Sequence, residues 1–419
     1  MQDKILWLWL MQACGHANDS FAKAYRAFSS VSNIYDASSD ALVSALGNTI
    51  AARRLSQKDL KEASRIFERC RRSGISILAY DDAAYPDSLK KLSDPPAVLF
   101  AYGAAELSLL SAPSVGVVGS REATPYGIAS TFDFSHAWAE AGLVVVSGMA
   151  LGIDGISHVA AIEAGGQTVA VLGSGVDVVY PASHRKLYGS ILANGLVISE
   201  YPPGTEPKPY HFPARNRIVA ALSGALAVME GKMRSGSLIT AGKAKELEKT
   251  VYALPGRADD VYSQAPNLLL SEGARLLADP FVLLSDLGIS AFRSAETSFF
   301  SFEVLEKYGV SVSKKDKKAK RPKKAKKDPS PDSLAYTAPA AHQLEQAKLA
   351  FGLDEKTLSL YRMLPEDGAS CLPDELAQNF NTSELLQALT MLEMAKLIIR
   401  FPSGRVCRAS ADTVGLVHN

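Results

Sequence analysis

The chain has 419 residues, 47% of them apolar, and its 45 Lys and Arg against 44 Asp and Glu give a formal charge of +1. This is the composition of a globular protein of two or three domains, and it excludes a disordered or membrane-embedded chain. The near-neutral total hides an asymmetry: residues 314–327, KKDKKAKRPKKAKK, hold ten Lys/Arg and one Asp, a net of +9, which leaves about −8 for the rest. The four cysteines, Cys14, Cys70, Cys371 and Cys407, stand far apart with no C-x-x-C spacing. That argues against a zinc site or a disulfide framework and suits a reducing cytosol.

In chain order, ILWLWLM (5–11) is too short to span a bilayer and reads as an amphipathic first helix, with no membrane span elsewhere. Residues 1–80 read as a small helical domain of the SAM or helix-hairpin-helix kind. LKEASRIFERCRRSG (60–74) places Leu60, Ala63, Ile66, Phe67 and Cys70 at helical spacing before a Gly stop. DDAAYPDSLKKLSDPPAVLFAYG (81–103) is turn-rich and leads into a second domain, 81–291. There, apolar runs at 115–119, 143–147, 168–173, 196–199, 225–230 and 250–256 alternate with stretches of helical length at 126–141, 154–165, 184–194 and 237–249. Fully apolar strands alternating with helices specify a doubly wound parallel sheet, an extended Rossmann-like α/β domain. Residues 292–350 have linker composition. Residues 351–419 follow a helix–helix–helix–hairpin order that reads as a small winged-helix-like domain.

In doubly wound sheets ligands bind beyond the carboxyl ends of the strands. The first strand runs into GSREATPYG, where Gly119 permits a tight turn, Ser120 offers a hydroxyl, Arg121 a cation and Pro125 a helix start. This can be an anion pocket, or a turn whose arginine pairs with a nearby Asp. SGMALGIDGISH (147–158) sets Asp154 and His158 one helical turn apart without a third metal ligand, so local capping and packing explain them better than catalysis. Asp177 in GSGVDVVYP is as suited to backbone amides as to a substrate. HFPARNR (211–217) follows a proline-rich irregular segment that delivers Phe212, Arg215, Asn216 and Arg217 to a helix start. In EGKMRSGSLITAGKAKE, Arg234, Ser235, Gly236, Ser237 and Thr240 make a second helix start suited to an anion. Three such loops converging on one sheet edge, with cations outnumbering carboxylates, point to an extended or polymeric anion.

These stretches, together with PDSLKKLSDPPAVLFAYG and VYALPGR, resemble in order and almost continuously over 85–280 the DNA-processing protein family DprA/Smf. The resemblance implies an extended Rossmann domain that binds single-stranded DNA without a nucleotide cofactor and loads the RecA recombinase onto incoming strands in natural transformation. It also implies a homodimer. Gly119, Ser120 and Arg121 match the family's G-S-R turn. Phe212, Arg215, Asn216 and Arg217 match F-P-x-R-N-R, and Ser235, Gly236 and Ser237 match S-G-S. Leu151 stands where many members carry Arg in S-G-x-A-x-G-I-D, which removes one phosphate contact but not the pocket. An aromatic beside arginines supplies what a single strand needs, a face for bases and cations for phosphates.

The flanks are less specific. The helix expected over SELLQALTMLEMAKL (383–397) has Glu384 and Glu393 against Lys396 and no Arg, so it is not expected to read duplex DNA. The 314–327 run suits either nonspecific DNA attraction or a solvated tether. The rival function is a nucleotide phosphoribohydrolase of the lysine-decarboxylase-like group. Its P-G-G-x-G-T-x-x-E stretch is replaced here by R-S-G-S-L-I-T-A without the Glu, leaving Glu230 as the one substitute. A plain nucleotide-binding regulator lacks its G-x-G-x-x-G.

Overall fold

In the computed structural model, the described residues are 2–289, 300–310, 348, 353–365 and positions scattered between 385 and 408. The chain divides into two compact units, Met1–Lys320 and Arg321–Asn419.

The first unit begins with helices α1 (Gln2–Cys14), α2 (Ser20–Phe28), α3 (Val31–Asp36), α4 (Ser39–Leu46), α5 (Ile50–Gln57) and α6 (Lys61–Ser73). The expected amphipathic first helix is instead the centre of this bundle. Leu6 to Met11 are all buried, and Trp7 packs on the rings of Phe21, Tyr25 and Tyr80. A helix apolar on every side is one covered on every side. The short helices after it start on side-chain caps: Ser30, Ser38 and Thr49 accept from the amides of Asn33, Ala41 and Ala52.

The sheet follows: β1 (Ser76–Ala79), α7 (Asp87–Lys90), β2 (Val98–Tyr102), β3 (Ser114–Val118), α8 (Pro125–Glu140), β4 (Val144–Ser147), α9 (Ile153–Glu163), β5 (Thr168–Val171), α10 (Arg185–Asn194), β6 (Gly195–Ser199), α11 (His211–Leu222), β7 (Ala225–Val228), α12 (Gly236–Glu246), β8 (Thr250–Ala253), α13 (Gln264–Ser271), β9 (Arg275–Leu276) and α14 (Pro280–Asp286). The strand order is β1-β2-β6-β5-β4-β3-β7-β8-β9. Neighbours from β6 to β9 run parallel, whereas β1–β2 and β2–β6 are antiparallel. The six apolar runs of the sequence are the six central parallel strands. The antiparallel edge comes from the turn-rich 81–103 segment and the residues before it, where no period-2 pattern announces a strand.

Alternation along each strand sorts the core. Val115, Val117 and Val145 pack with Trp138 of α8 on one face, while Val144, Val146, Val169 and Val171 pack with α11 and α12 on the other. Helices α1–α6 share a core with α8, α9, α10 and β2, so the boundary expected near residue 80 interrupts no packing. Part of the expected linker is also structured. Residues 300–310 carry α15 (Phe302–Lys307), with Leu305 and Val310 buried in that core and Lys307 and Tyr308 bonded to Glu163. The lysine run lies outside the described residues.

In the second unit the described residues form α16 (Glu355–Met363), capped by Asp354, and an antiparallel pair β10 (Ile398–Arg400) and β11 (Val406–Arg408) around Leu358, Leu389, Leu392 and Val406. The residues 372–380, seven of the fifteen residues over 383–397 and the hairpin turn lie outside the described residues, so the winged-helix expectation is not decided. Among the described residues no helix is long and apolar enough to cross a membrane.

Candidate nucleic-acid interface

The chain passes from β3 to β4, β5 and β6 on one side, then crosses to β7 and β8 on the other. The carboxyl ends of β3 and β7 therefore flank the crevice where strand order reverses. A cleft of about 640 Å³ opens there, lined by Gly119–Glu122, Ala150, Asp154, Tyr180, the 212–216 segment and Gly231–Thr240. The loops expected to converge do so.

The proline-rich stretch before Phe212 has no regular structure, and it delivers Phe212 to a helix start as expected. HFPARNR is the first two turns of α11, with Pro213 at its third residue, where the missing N–H costs nothing. The Phe212 and Tyr180 rings lie 5.2 Å apart at a tilt of 37°, and the Arg121 guanidinium lies 5.3 Å from the Phe212 ring centroid. Tyr180 is 43% exposed and Arg121 exposed. The Arg121 charge is felt by Asp154, which lines the same cleft. The G-S-R turn is fixed from below: Ser120 Oγ accepts from the Glu122 amide at 3.0 Å, and Gly152 packs on the Ser120 carbonyl. Gly152 has φ +72°, and a Cβ there would sit 2.2 Å from the Ser120 oxygen.

The two arginines of the motif part ways. Arg215, 3% exposed, forms the cleft floor: Nη1 donates to the carbonyl of Gly148 at 2.8 Å and to that of Val171, tying the ends of β4 and β5. Its charge faces buried Asp154, whose carboxyl is pushed up by burial and pulled back by Arg215, and which accepts from the Gly148 amide. Arg217 does not line the cleft. It donates two bonds to Glu200 at 3.1 and 2.8 Å and one to Asp94 at 2.9 Å, all away from the crevice. Burial pulls its guanidinium down, and the two carboxylates more than offset this. The expected strand contact at Arg217 is thus corrected: the side chain is spent on a buried ion triad. Asn216 Nδ2 reaches the Gly236 carbonyl at 3.4 Å, joining α11 to α12.

On the β7 side, Ser235 is the N-cap of α12 but makes no side-chain cap bond; its hydroxyl pairs with that of Ser237 at 2.7 Å. The Leu238 amide donates to the Ser235 carbonyl at 3.2 Å, and the two amides before it, those of Gly236 and Ser237, have no side-chain cap and can meet an anion. Arg234 and Lys232 are exposed beside them, and Lys232 pairs with Glu122 at 3.0 Å. Thr240 is buried and donates to the Gly236 carbonyl at 3.1 Å, so it braces the turn. Leu151, at the departure from the family pattern, is 39% exposed.

The remaining sequence candidates are structural. His158 is buried, and its Nδ1 lies 2.6 Å from the Thr168 hydroxyl; burial holds its pKa down to about 3. Asp177 accepts from the Gly204 amide and from Arg69 of α6. Glu230, the one carboxylate left to a hydrolase, is 1% exposed and does not line the cleft. It accepts from the Thr124 amide at 3.0 Å and from its hydroxyl, at the start of α8; burial raises its pKa to about 7. Among the described residues no group of His, Cys, Asp and Glu could hold a metal. Sequence reasoning missed Tyr180, as well as Lys208 and the 65%-exposed Tyr210, which pair at 6.0 Å just before α11. The aromatic–cation spacing in PKPYHF is a signal that could have found the latter two.

The chain is similar to known proteins over the sheet that carries the cleft. A family model described as DNA recombination-mediator protein A matches residues 76–288. The chain is similar to DNA processing protein DprA of Bacillus subtilis (strain 168), 40% identical over 214 residues, which are 51% of this chain and 71% of that protein. It is similar to DprA of Streptococcus pneumoniae, 45% identical over 196 residues, 47% of this chain and 68% of the relative. The X-ray structure of DprA from S. pneumoniae superposes with a TM-score of 0.60 and 34% identity, covering 69% of this chain and 99% of the other. The chain therefore belongs to the DNA recombination-mediator protein A family of DNA-processing proteins.

Proposed function

We propose that the chain binds single-stranded DNA across the β3/β7 crevice. Arg121, Arg234 and the open amides of α12 hold phosphates, while Phe212 and Tyr180 stack bases. The observation that carries this reading is the cluster of Arg121, Phe212 and Tyr180, set beside a helix start without a side-chain cap. A duplex keeps its base faces in the stack, whereas a single strand can offer them to such a surface. Stacking contributes about 1–3 kcal/mol per base, and each cation–phosphate contact adds about 0.7 to the salt slope. A few contacts of this size favour two sites acting together on one strand, so the working form is a homodimer.

Within this reading the bound strand is passed to the RecA recombinase during DNA uptake and recombination in the cytoplasm, the role that resemblance to DprA/Smf carries. The phosphoribohydrolase alternative loses its one candidate acid, because Glu230 is committed to the start of α8. Anisotropy of labelled oligo-dT and of duplex, with wild type and Phe212→Ala, tests the proposal. Tight, salt-sensitive binding of the single strand, weakened about tenfold in the variant, supports it; equal binding of duplex, or an unaffected variant, overturns it. Light scattering at micromolar concentration tests the dimer.

A further inference from the structure

The cleft is not the one basic surface at this sheet edge. Residues 50–74, spanning α5 and α6, hold eight Lys/Arg and three Asp/Glu, a net of +5. On α6, Lys61, Arg65, Arg69 and Arg72 recur at spacings of four, four and three, and all are exposed. They fall within one stripe at 100° per residue, on the side turned away from buried Ala63, Ile66 and Cys70. The ion pair of Arg65 with Glu62 is solvent-exposed on both sides, so it contributes little and gives way readily to a phosphate.

One end of the stripe is joined to loops that lead into the cleft. Arg69 Nη2 donates to Asp177 at 2.7 Å, and Asp177 accepts from the Gly204 amide at 2.6 Å, so α6 is anchored to the loops that follow β5 and β6. His16, just after α1, packs its ring 4.8 Å from Tyr201 in the same region. Asp177 is three residues from Tyr180, the outer wall of the stacking surface, a span of at most about 11 Å. Lys208 and Tyr210, both exposed, stand between Gly204 and Phe212. From Lys61 to Arg72 the helix adds about 16 Å.

We infer that α6 is a second backbone track for the same DNA strand, which leaves the cleft past Tyr180 and runs along Lys61, Arg65 and Arg72. The inference rests on the single-strand reading of the cleft, and it assigns the N-terminal helices a part in binding. A cation stripe without exposed aromatics suits phosphates alone, so this track is indifferent to base sequence.

The test uses the full-length chain, its Lys61→Ala/Arg65→Ala/Arg72→Ala variant, and oligo-dT of about 6 and about 30 nucleotides, chosen around the usual footprint of one single-strand site. Arg69 is left in place because it anchors the helix. The variant is expected to bind the short oligonucleotide as wild type does. It should bind the long one about tenfold or more weakly at about 50 mM salt, with a salt slope flatter by about 2. Wild-type binding of both lengths overturns the track and leaves the cleft reading standing. Equal weakening on both lengths also overturns it, because the stripe would then act on the cleft rather than beyond it. Phe212→Ala separately must weaken both lengths, and a wild-type chain that binds neither length defeats the cleft reading and the track together.

Discussion

Arg217→Met separates a structural arginine from a binding one. Its side chain is 4% exposed, that of Glu200 2% and that of Asp94 23%. Removing the guanidinium leaves Glu200 ionised and buried without its cation, a loss of about 3–5 kcal/mol for a broken buried pair. Asp94 can rehydrate and contributes the smaller share. Against a total stability of about 5–15 kcal/mol, that is a large fraction. Urea unfolding followed by fluorescence of buried Trp7 and Trp138 should show a lowered midpoint at similar slope. Converting the pair together, Arg217→Met with Glu200→Leu, should recover much of the loss, because the buried charge is removed with its partner. Below the midpoint, folded Arg217→Met should bind oligo-dT nearly as wild type does. A variant that unfolds within about 1 kcal/mol of wild type yet has lost DNA affinity would refute this reasoning and return Arg217 to the strand.

Three further outcomes follow from the packing. Glu230 has its pKa raised by burial from 4.5 to about 7, so the folded chain holds a proton there that the unfolded chain releases. Stability should therefore fall as pH rises between those values, by at most about 1.4 kcal/mol per unit, and Glu230→Gln should remove that component in unfolding curves taken across the window. Gly152→Ala puts a Cβ 2.2 Å from the Ser120 carbonyl at a positive φ. It should cost about 2 kcal/mol or more and weaken oligo-dT binding by displacing Arg121; unchanged affinity would show that the turn does not depend on that contact. Leu305→Ala should destabilise the first unit by about 2–5 kcal/mol in the same urea assay, since Leu305 is fully buried; a negligible change would mean that 300–310 does not dock.

The central sheet was legible because each of its six central parallel strands is an apolar run, as in LVVV and TVAV, and these runs alternate with stretches of helical length. The antiparallel strands β1 and β2 were not, since SILA and VLFAY stand on either side of turn-rich chain and are not separated by a stretch of full helical length. Residues 300–310 were hidden by their neighbours: eleven residues with a few apolar positions look like linker until α9 and α10 supply a surface for Leu305 and Val310. At the site, Gly119, Ser120, Arg121 and Phe212 could be placed from local chemistry, because turn, cation and aromatic follow a strand end directly. The divergence of Arg215 and Arg217 could not. Two residues apart on a helix they point about 200° from each other, but the helix start read at HFPARNR does not say which of them faces the crevice, and the partners Asp94 and Glu200 lie outside that segment. Thr240 likewise looks like a phosphate hydroxyl until its bond to Gly236 is seen.

The location of the bound strand is the central claim, and photo-crosslinking tests it most directly. Oligo-dT carrying a photoreactive base is bound to the full-length chain, irradiated, and the attached peptides are identified by mass spectrometry. The structure predicts crosslinks at Phe212 and Tyr180, with Tyr210 where the strand leaves the cleft. Crosslinks confined to the second unit or to the 314–327 lysine run, with none at Phe212 or Tyr180, would contradict it.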